Sequence, residues 1–365
     1  MARQNSSQAR QGAHFPAFDR GSPGDAAPVE AAALEPFKAL VKRLSEACGA
    51  AGSEEPVREL VRDEIKGFVD QVRVDALGNL IAHRRGSGSN RKKIMLAAHL
   101  DEIGVMVTYL DARGFARFGT LGEVKPLTLL GARCRFPNGA VGIIGREERD
   151  AARNEIESDT LFIDFGSGTA PGAPVQVGAA GCLLGEFQDA GDLLISKALE
   201  GRIGCAVLIE TLRRLKKSPH DLYFAFTVQE TVGARGAGTA AYAIQPDIAF
   251  VVQGGEAGDV PGANGGSIAL GKGPAIHFKD QSLISSPSAR QALISAAREA
   301  RIPYQLQVAP RGSGDGSTIQ AAREGVPTGG LAVPLRHLHT PSEMVHREDA
   351  LRAVELLSHL ISKPL

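Results

Sequence analysis

Ile94-Met95-Leu96-Ala97-Ala98-His99-Leu100-Asp101-Glu102-Ile103-Gly104 decides the fold. An apolar run stops abruptly at a histidine, with two acids close behind. Such a run, bounded by polar residues, predicts a buried strand. Strand ends in open α/β sheets are where ligands and metals bind. A histidine followed two residues later by an aspartate suits a metal site: the imidazole ligates, and the carboxylate holds its other N–H and fixes the tautomer. Taken alone, the pair reads equally well as a strand-end histidine in an ordinary surface hydrogen bond. Further along, the pattern repeats. Residues 222–228 end in Gln229-Glu230, residues 248–252 end at Gln253, and residues 331–333 lead into Leu335-Arg336-His337-Leu338-His339-Thr340-Pro341. Several buried strands with polar ends predict one site at the carboxyl edge of a parallel sheet in an α/β protein.

Helical spacing surrounds these strands. Phe37, Leu40, Val41 and Leu44 repeat with it, and Glu54-Glu55-Pro56 opens a second helix with acids and proline in its first turn. Ile203, Ala206, Val207, Leu212 and Leu215 mark another; residues 289–300 and 318–323 mark two more, and Leu351, Val354, Leu357 and Ile361 the last. Between 108 and 189 the texture changes to short β-like pieces punctuated by glycine, at 115–118, 132–136, 141–144, 161–165 and 175–177. No long helical period interrupts them, which predicts an inserted all-β unit, barrel or sandwich. Residues 1–33, polar and then Gly/Pro/Ala-rich, read as a disordered extension. The expected organisation is an α/β core from 34–107 and 190–365, interrupted by a β domain at 108–189.

Composition narrows the function. The 365 residues balance 41 basic against 41 acidic side chains, with no strongly basic segment, which argues against a nucleic-acid partner. No apolar run reaches membrane-spanning length and none resembles a secretory leader, so a cytoplasmic protein is expected. Cys48, Cys134, Cys182 and Cys205 form no CxxC pair and read as reduced core thiols. Neither GxxxxGK[ST] nor a strand-linked GxGxxG is present.

With these residues in hand, the chain resembles the tetrahedral, self-compartmentalising metallo-aminopeptidases, which are grouped with glutamyl aminopeptidases and proteins called endoglucanases. The matching motifs follow one another in order: Asp75-Ala76-Leu77-Gly78-Asn79-Leu80, Ala98 to Gly104, Lys197-Ala198-Leu199 with Arg202-Ile203-Gly204-Cys205, and Thr227-Val228-Gln229-Glu230. Gly233 with Arg235-Gly236-Ala237, Ala257-Gly258-Asp259, Gly271-Lys272-Gly273-Pro274, Glu324 to Thr328, and Arg336 to Pro341 with Glu343-Met344-Val345 complete them. The resemblance implies a zinc-peptidase-like, mostly parallel sheet flanked by helices, with an inserted all-β domain used for oligomerisation and access. It further implies short peptides as substrates, a homo-oligomer of up to twelve subunits, and two metal ions that activate a water while a glutamate acts as base.

Carried over residue by residue, the resemblance gives a changed site. His99 matches the first ligand and Asp101 its orienting carboxylate. The bridging aspartate falls on Glu200, and the next acid or amide on Gly201. Glu230 takes the general-base position, but its neighbouring ligand position holds Thr231. The third-strand aspartate falls on Gln253. His339 matches the last ligand, and Asp315 a site-lining, substrate-binding position. Threonine stays protonated and glutamine is neutral, so the charge that would compensate two dications is reduced. The expectation is one zinc or cobalt ion per chain on His99, Glu200 and His339, with no ion at all as the alternative. In that alternative the protein is a catalytically silent relative that binds peptides or acts as a scaffold. Other readings stay open: Glu230 paired with Arg202 or Arg235, His337 or Glu256 as substitute ligands, and Asp315 closing an Asp-Gly turn.

Overall fold

The computed structural model describes residues 31–147, 157–166, 174–263 and 268–365. Up to residue 30, the extension expected over 1–33 lies outside the described residues. The first elements are α1 (Ala31–Glu46), α2 (Glu55–Ile65), β1 (Gln71–Val74), β2 (Leu80–Arg84) and β3 (Lys93–His99). Next come β4 (Gly104–Leu110), β5 (Ala116–Leu121), α3 (Pro126–Leu129), β6 (Arg133–Arg135), β7 (Val141–Arg146), β8 (Leu161–Asp164) and β9 (Ala180–Leu183). The chain continues through β10 (Gln188–Ala190), β11 (Leu193–Ser196), α4 (Leu199–Arg214), β12 (Asp221–Thr227), α5 (Arg235–Ile244) and β13 (Ile248–Glu256). It closes with β14 (Ala275–Lys279), α6 (Pro287–Glu299), β15 (Gln305–Val308), α7 (Asp315–Gln320), β16 (Thr328–Arg336), β17 (Glu343–His346) and α8 (Arg347–Ile361).

Eleven strands form one sheet, with β12, β3, β13 and β16 side by side and parallel at its centre and antiparallel strands on both flanks. The α/β class expected from the strand pattern is correct. β3 alternates between the two layers: Ile94, Leu96 and Ala98 join the larger core with α1, α4 and α8, while Met95 and Ala97 join a smaller core with α5 and α7. Helix α4 is buried along nearly its whole length against the sheet. That approach needs glycine at 204, where a Cβ would stand 2.1 Å from the Val252 carbonyl oxygen.

The inserted unit is a closed six-stranded barrel in the order β4-β5-β8-β7-β6-β9, with its own core of Val105, Val107, Phe118, Phe136, Ile144 and Ile163. Closure removes the exposed edges that an isolated small sheet would carry. Two details differ from expectation. Residues 175–177 form no strand, because the segment turns back on β4, with Ala179 N–H donating to Gln176 O and Gly178 N–H to Val107 O. And the cysteines are not all reduced thiols: Cys48 and Cys182 are joined in a disulfide, while Cys134 and Cys205 are free and buried. The fold brings together two cysteines 134 residues apart, a proximity that spacing along the chain does not reveal.

Candidate metal centre

The parallel strands deliver the site. In register, Thr227 at the end of β12 lies beside His99 at the end of β3, and β13 runs alongside. After β12 the chain turns sharply through Gln229 (φ 57°), which presents Glu230 and Thr231 to the loop that carries Asp101. Asp101 is fully buried and accepts from Glu230 N–H and Thr231 N–H at 2.9 Å each and from Thr231 Oγ1 at 2.8 Å. These donors and His99 hold its carboxyl below the usual range although burial pushes upward. Thr231 therefore serves as a donor to Asp101.

His99 is 1% exposed. Its Nε2 stands 2.8 Å from Glu200 Oε2, and its Nδ1 stands 3.5 Å from Asp101 Oδ1 and 4.0 Å from Glu230 Oε2. Neither ring nitrogen makes an aligned hydrogen bond to a described residue. Burial pulls this imidazole down, but Glu200, Glu230 and Asp101 outweigh it and hold the ring well above its ordinary range. Glu230 moves the other way from Glu200. Burial lifts Glu230 well above the carboxylate range against the pull of His99, with Glu200, Asp315 and Asp101 adding to the rise. For Glu200, burial also pushes upward, but the charge and close approach of His99 outweigh it and bring the carboxyl down.

The donor atoms of His99, Glu200 and Glu230 all lie within 4.8 Å of one another. One imidazole and two carboxylates fit a divalent first-row ion. A histidine and a carboxylate bound at about 2.0–2.1 Å to one ion stand roughly 3 Å apart, which is the His99–Glu200 relationship without hydrogen-bond alignment. His339 stands outside that trio, in the turn between β16 and β17 with φ 60°, close enough for its charge to act on Glu200. Gln253 lies within β13, which continues to Glu256, and its amide packs against Gly314. Asp315, fully buried at the start of α7, accepts from Thr227 Oγ1, and its Oδ1 has no partner among the described residues. Burial lifts Asp315 to about 6. His337 and Glu256 are exposed. Arg202 and Arg235 do not pair with Glu230: Arg202 points away to Glu102, and Arg235 reaches Gln229 Oε1.

Three features escape sequence reasoning. Gly201 lies directly under the His99 ring, where a Cβ would stand 2.5 Å from Cε1. The sequence shows only that an acid or amide is missing there; the structure shows that the ring occupies the space. Glu343, 2% exposed, accepts the backbone N–H of Glu200 and of His339 at 2.9 Å each, and so ties two ligand positions together. The third is a buried ion cluster: Glu102 receives Lys197 Nζ at 2.8 and 2.7 Å and Arg202 Nη2 at 3.3 Å. Lys197 and Arg202 bracket Glu200 in sequence.

Burial pushes Glu343 up to about 8. The folded protein therefore holds a proton there that the unfolded chain releases near the ordinary carboxylate value. The sign follows: stability contributed by this group is greatest at acid pH and falls as pH climbs from about 4.5 toward about 8. Glu343→Gln, neutral throughout, is expected to flatten that slope in urea midpoints taken at pH 5 and pH 8 with chelator present. An unchanged slope would rule Glu343 out as its source.

Comparison with known proteins settles the lineage. Residues 78–356 match the model of the M42 glutamyl aminopeptidase family. The chain belongs to that family. A candidate aminopeptidase of Acetivibrio thermocellus is 42% identical to this M42 chain over 324 residues, covering 88% of this chain and 97% of the relative. The solved aminopeptidase APDkam598 of Desulfurococcus kamchatkensis superposes on it with a TM-score of 0.85 at 35% identity, over 90% of this chain and 95% of that one. The TET1 peptidase of Pyrococcus horikoshii, described as assembling into a tetrahedron or a large octahedral shell, gives 0.79 at 29% identity, over 90% and 100%. M42 membership agrees with the resemblance carried by the ordered motifs, and M42 enzymes are metallo-aminopeptidases that use divalent metals. Among the described residues no helix is long and apolar enough to cross a membrane.

Proposed function

We propose that this M42 chain removes N-terminal residues from short peptides with one divalent ion, zinc or cobalt, in place of a tightly held pair. The observation that carries the reading is the buried convergence of His99, Glu200 and Glu230, with both His99 nitrogens free of aligned hydrogen bonds. His99 and Glu200 would hold the ion with His339 as a third ligand, and the ion would supply carbonyl polarisation and a more acidic water. Glu230 acts as general base, and its raised proton affinity brings it toward the working pH. Asp101 orients His99, and the unpartnered oxygen of Asp315 receives the peptide's terminal ammonium. Self-assembly through the barrel is part of this reading. Tyr109, Leu127, Ile143 and Val177 are all more than half exposed there, apolar surface that a neighbouring subunit would cover in such an assembly.

A second reading has its own support. Thr231 uses both its N–H and its hydroxyl on Asp101, which leaves that ligand position committed to structure. This favours a silent relative that binds peptides or serves as a scaffold subunit.

Elemental analysis after dialysis against trace zinc or cobalt separates the two. Near one metal per chain, with turnover of aminoacyl p-nitroanilides, supports the first reading; no metal and no turnover supports the second. Glu230→Gln is expected to keep the metal and lose about 10²-fold or more in kcat. In the parent, kcat should rise with pH as Glu230 gives up its proton, and that limb should vanish in the variant. Full activity in Glu230→Gln would remove it from the base role.

A further inference from the structure

The Cys48–Cys182 disulfide lies outside the metal centre but against its support. Cys48 sits in the short link after α1; Cys182 lies on β9, opposite Gly104 at the start of β4. The residues flanking Cys48 seat the buried cations. Ala47 O accepts from Lys197 Nζ and from Arg202 Nη1, each at 3.1 Å. Gly49 O accepts from Glu102 N–H at 3.1 Å and from Arg202 Nη2 at 3.5 Å, while Gly49 N–H donates to Glu102 Oε1 at 3.0 Å. A single covalent bond thus fixes a link that holds both sides of the Glu102–Lys197–Arg202 cluster, and that cluster brackets Glu200 and adjoins Asp101.

The bond also has an open side. Cys48 is half-buried, whereas Cys182 is 1% exposed. An incoming thiolate meets Cys48 Sγ first, and Cys182 is the leaving group.

We propose that Cys48–Cys182 is a reversible redox site, opened by small thiols of the glutathione class or by a protein dithiol, and that its state sets the order of the metal centre's support. On opening, the attacking thiolate bonds to Cys48 Sγ, the Cys48–Cys182 bond breaks, and Cys182 departs as thiolate and takes a proton. A second thiolate then attacks the first reductant's sulfur in the mixed disulfide, Cys48 departs as thiolate and takes a proton, and the two reductant sulfurs leave joined as a disulfide. Two electrons pass from the two thiols to the protein, and closure by a disulfide oxidant reverses each step. In the reduced state the link at residues 47–49 keeps its hydrogen bonds and the packing of Ala47 on the core but loses its covalent tie, so it and the segments it seats open more often. This coupling is independent of whether the site hydrolyses peptides.

Hydrogen–deuterium exchange on the full chain, with chelator present, tests it without any activity assay. Alkylation and mass spectrometry first establish the cysteine state in reduced and oxidised glutathione. Reduction is expected to speed exchange at least tenfold in peptides covering 44–52, 99–106, 180–184 and 197–204, with β12 and β13 unchanged. Cys48→Ser/Cys182→Ser is expected to show the fast pattern in both buffers. The proposal is overturned if the disulfide does not form in oxidised glutathione, or if it forms and local exchange is unaltered. It is equally overturned if the double variant still responds to reductant, or if reduction accelerates β12 and β13 alike, which would mark a global staple.

Discussion

Glu102→Gln is expected to cost the fold about 3–5 kcal/mol, because among the described residues it removes the carboxylate that pairs directly with both buried cations. The side chains of Glu102, Lys197 and Arg202 are 1%, 2% and 0% exposed. Burial already presses the Lys197 ammonium below its usual range, against the pull of Glu102 and with the help of Arg202. Glutamine matches the shape of glutamate, so the loss reports charge and not packing. The two cations also hold the carbonyls of Leu44, Ala47 and Gly49, so the disturbance spreads into the end of α1. Urea unfolding followed by circular dichroism reads the effect. Replacing all three charges with methionine or leucine is expected to cost far less than Glu102→Gln alone, since the penalty belongs to the unpaired charge. A Glu102→Gln protein within about 1 kcal/mol of the parent would mean that the cluster carries no such penalty.

The second large effect concerns the metals. The triple substitution Glu200→Asp, Thr231→Glu and Gln253→Asp is expected to raise bound zinc or cobalt above the parent's content, to about two per chain. It should raise kcat/KM on aminoacyl substrates by about 10²-fold or more, as expected when two ions share the work of polarising substrate and activating water. The change adds two carboxylates and shortens a third, and the added charge offsets a second dication. It also frees Asp101 from the Thr231 hydroxyl, returning that carboxylate toward His99. Gly201 stays as it is, since a side chain there would collide with the His99 ring in its present position. Two bound metals with no gain in turnover would show that the missing ligands are not what limits this chain.

Much of the fold was legible because buried parallel strands declare themselves. β3 and β12 are short apolar runs that end in polar residues, and both run as read. The glycine-punctuated stretch could be read as all-β but not as a barrel in preference to a sandwich, because closure depends on pairing between strands distant in sequence. Helix α5 was invisible: its buried face is Gly236, Ala237, Ala240, Ala241 and Ile244, and small residues give almost no hydrophobic period. At the site, residue identities could be read and partners could not. Arg202 looked available to Glu230, but its place on α4 directs it toward α1 and Glu102. Glu343 stood in the sequence as one motif residue among many. Its double backbone acceptance exists only because the β16–β17 turn folds back on the first turn of α4.

The barrel is spliced into the chain between His99 and Glu200, and this has a consequence for synthesis. A ribosome that has released everything through β9 has made one imidazole and its aspartate, but none of Glu200, Glu230, Asp315 or His339. The last of these comes only after β16, near the far end of the α/β core, with β17 and α8 still to follow. Chains usually fold from the amino end as they emerge. A nascent or prematurely ended chain can therefore close its barrel early while its chemistry stays dismantled. Arranged this way, the constellation of acids and imidazoles is assembled last, and fragments of the protein are inert by construction.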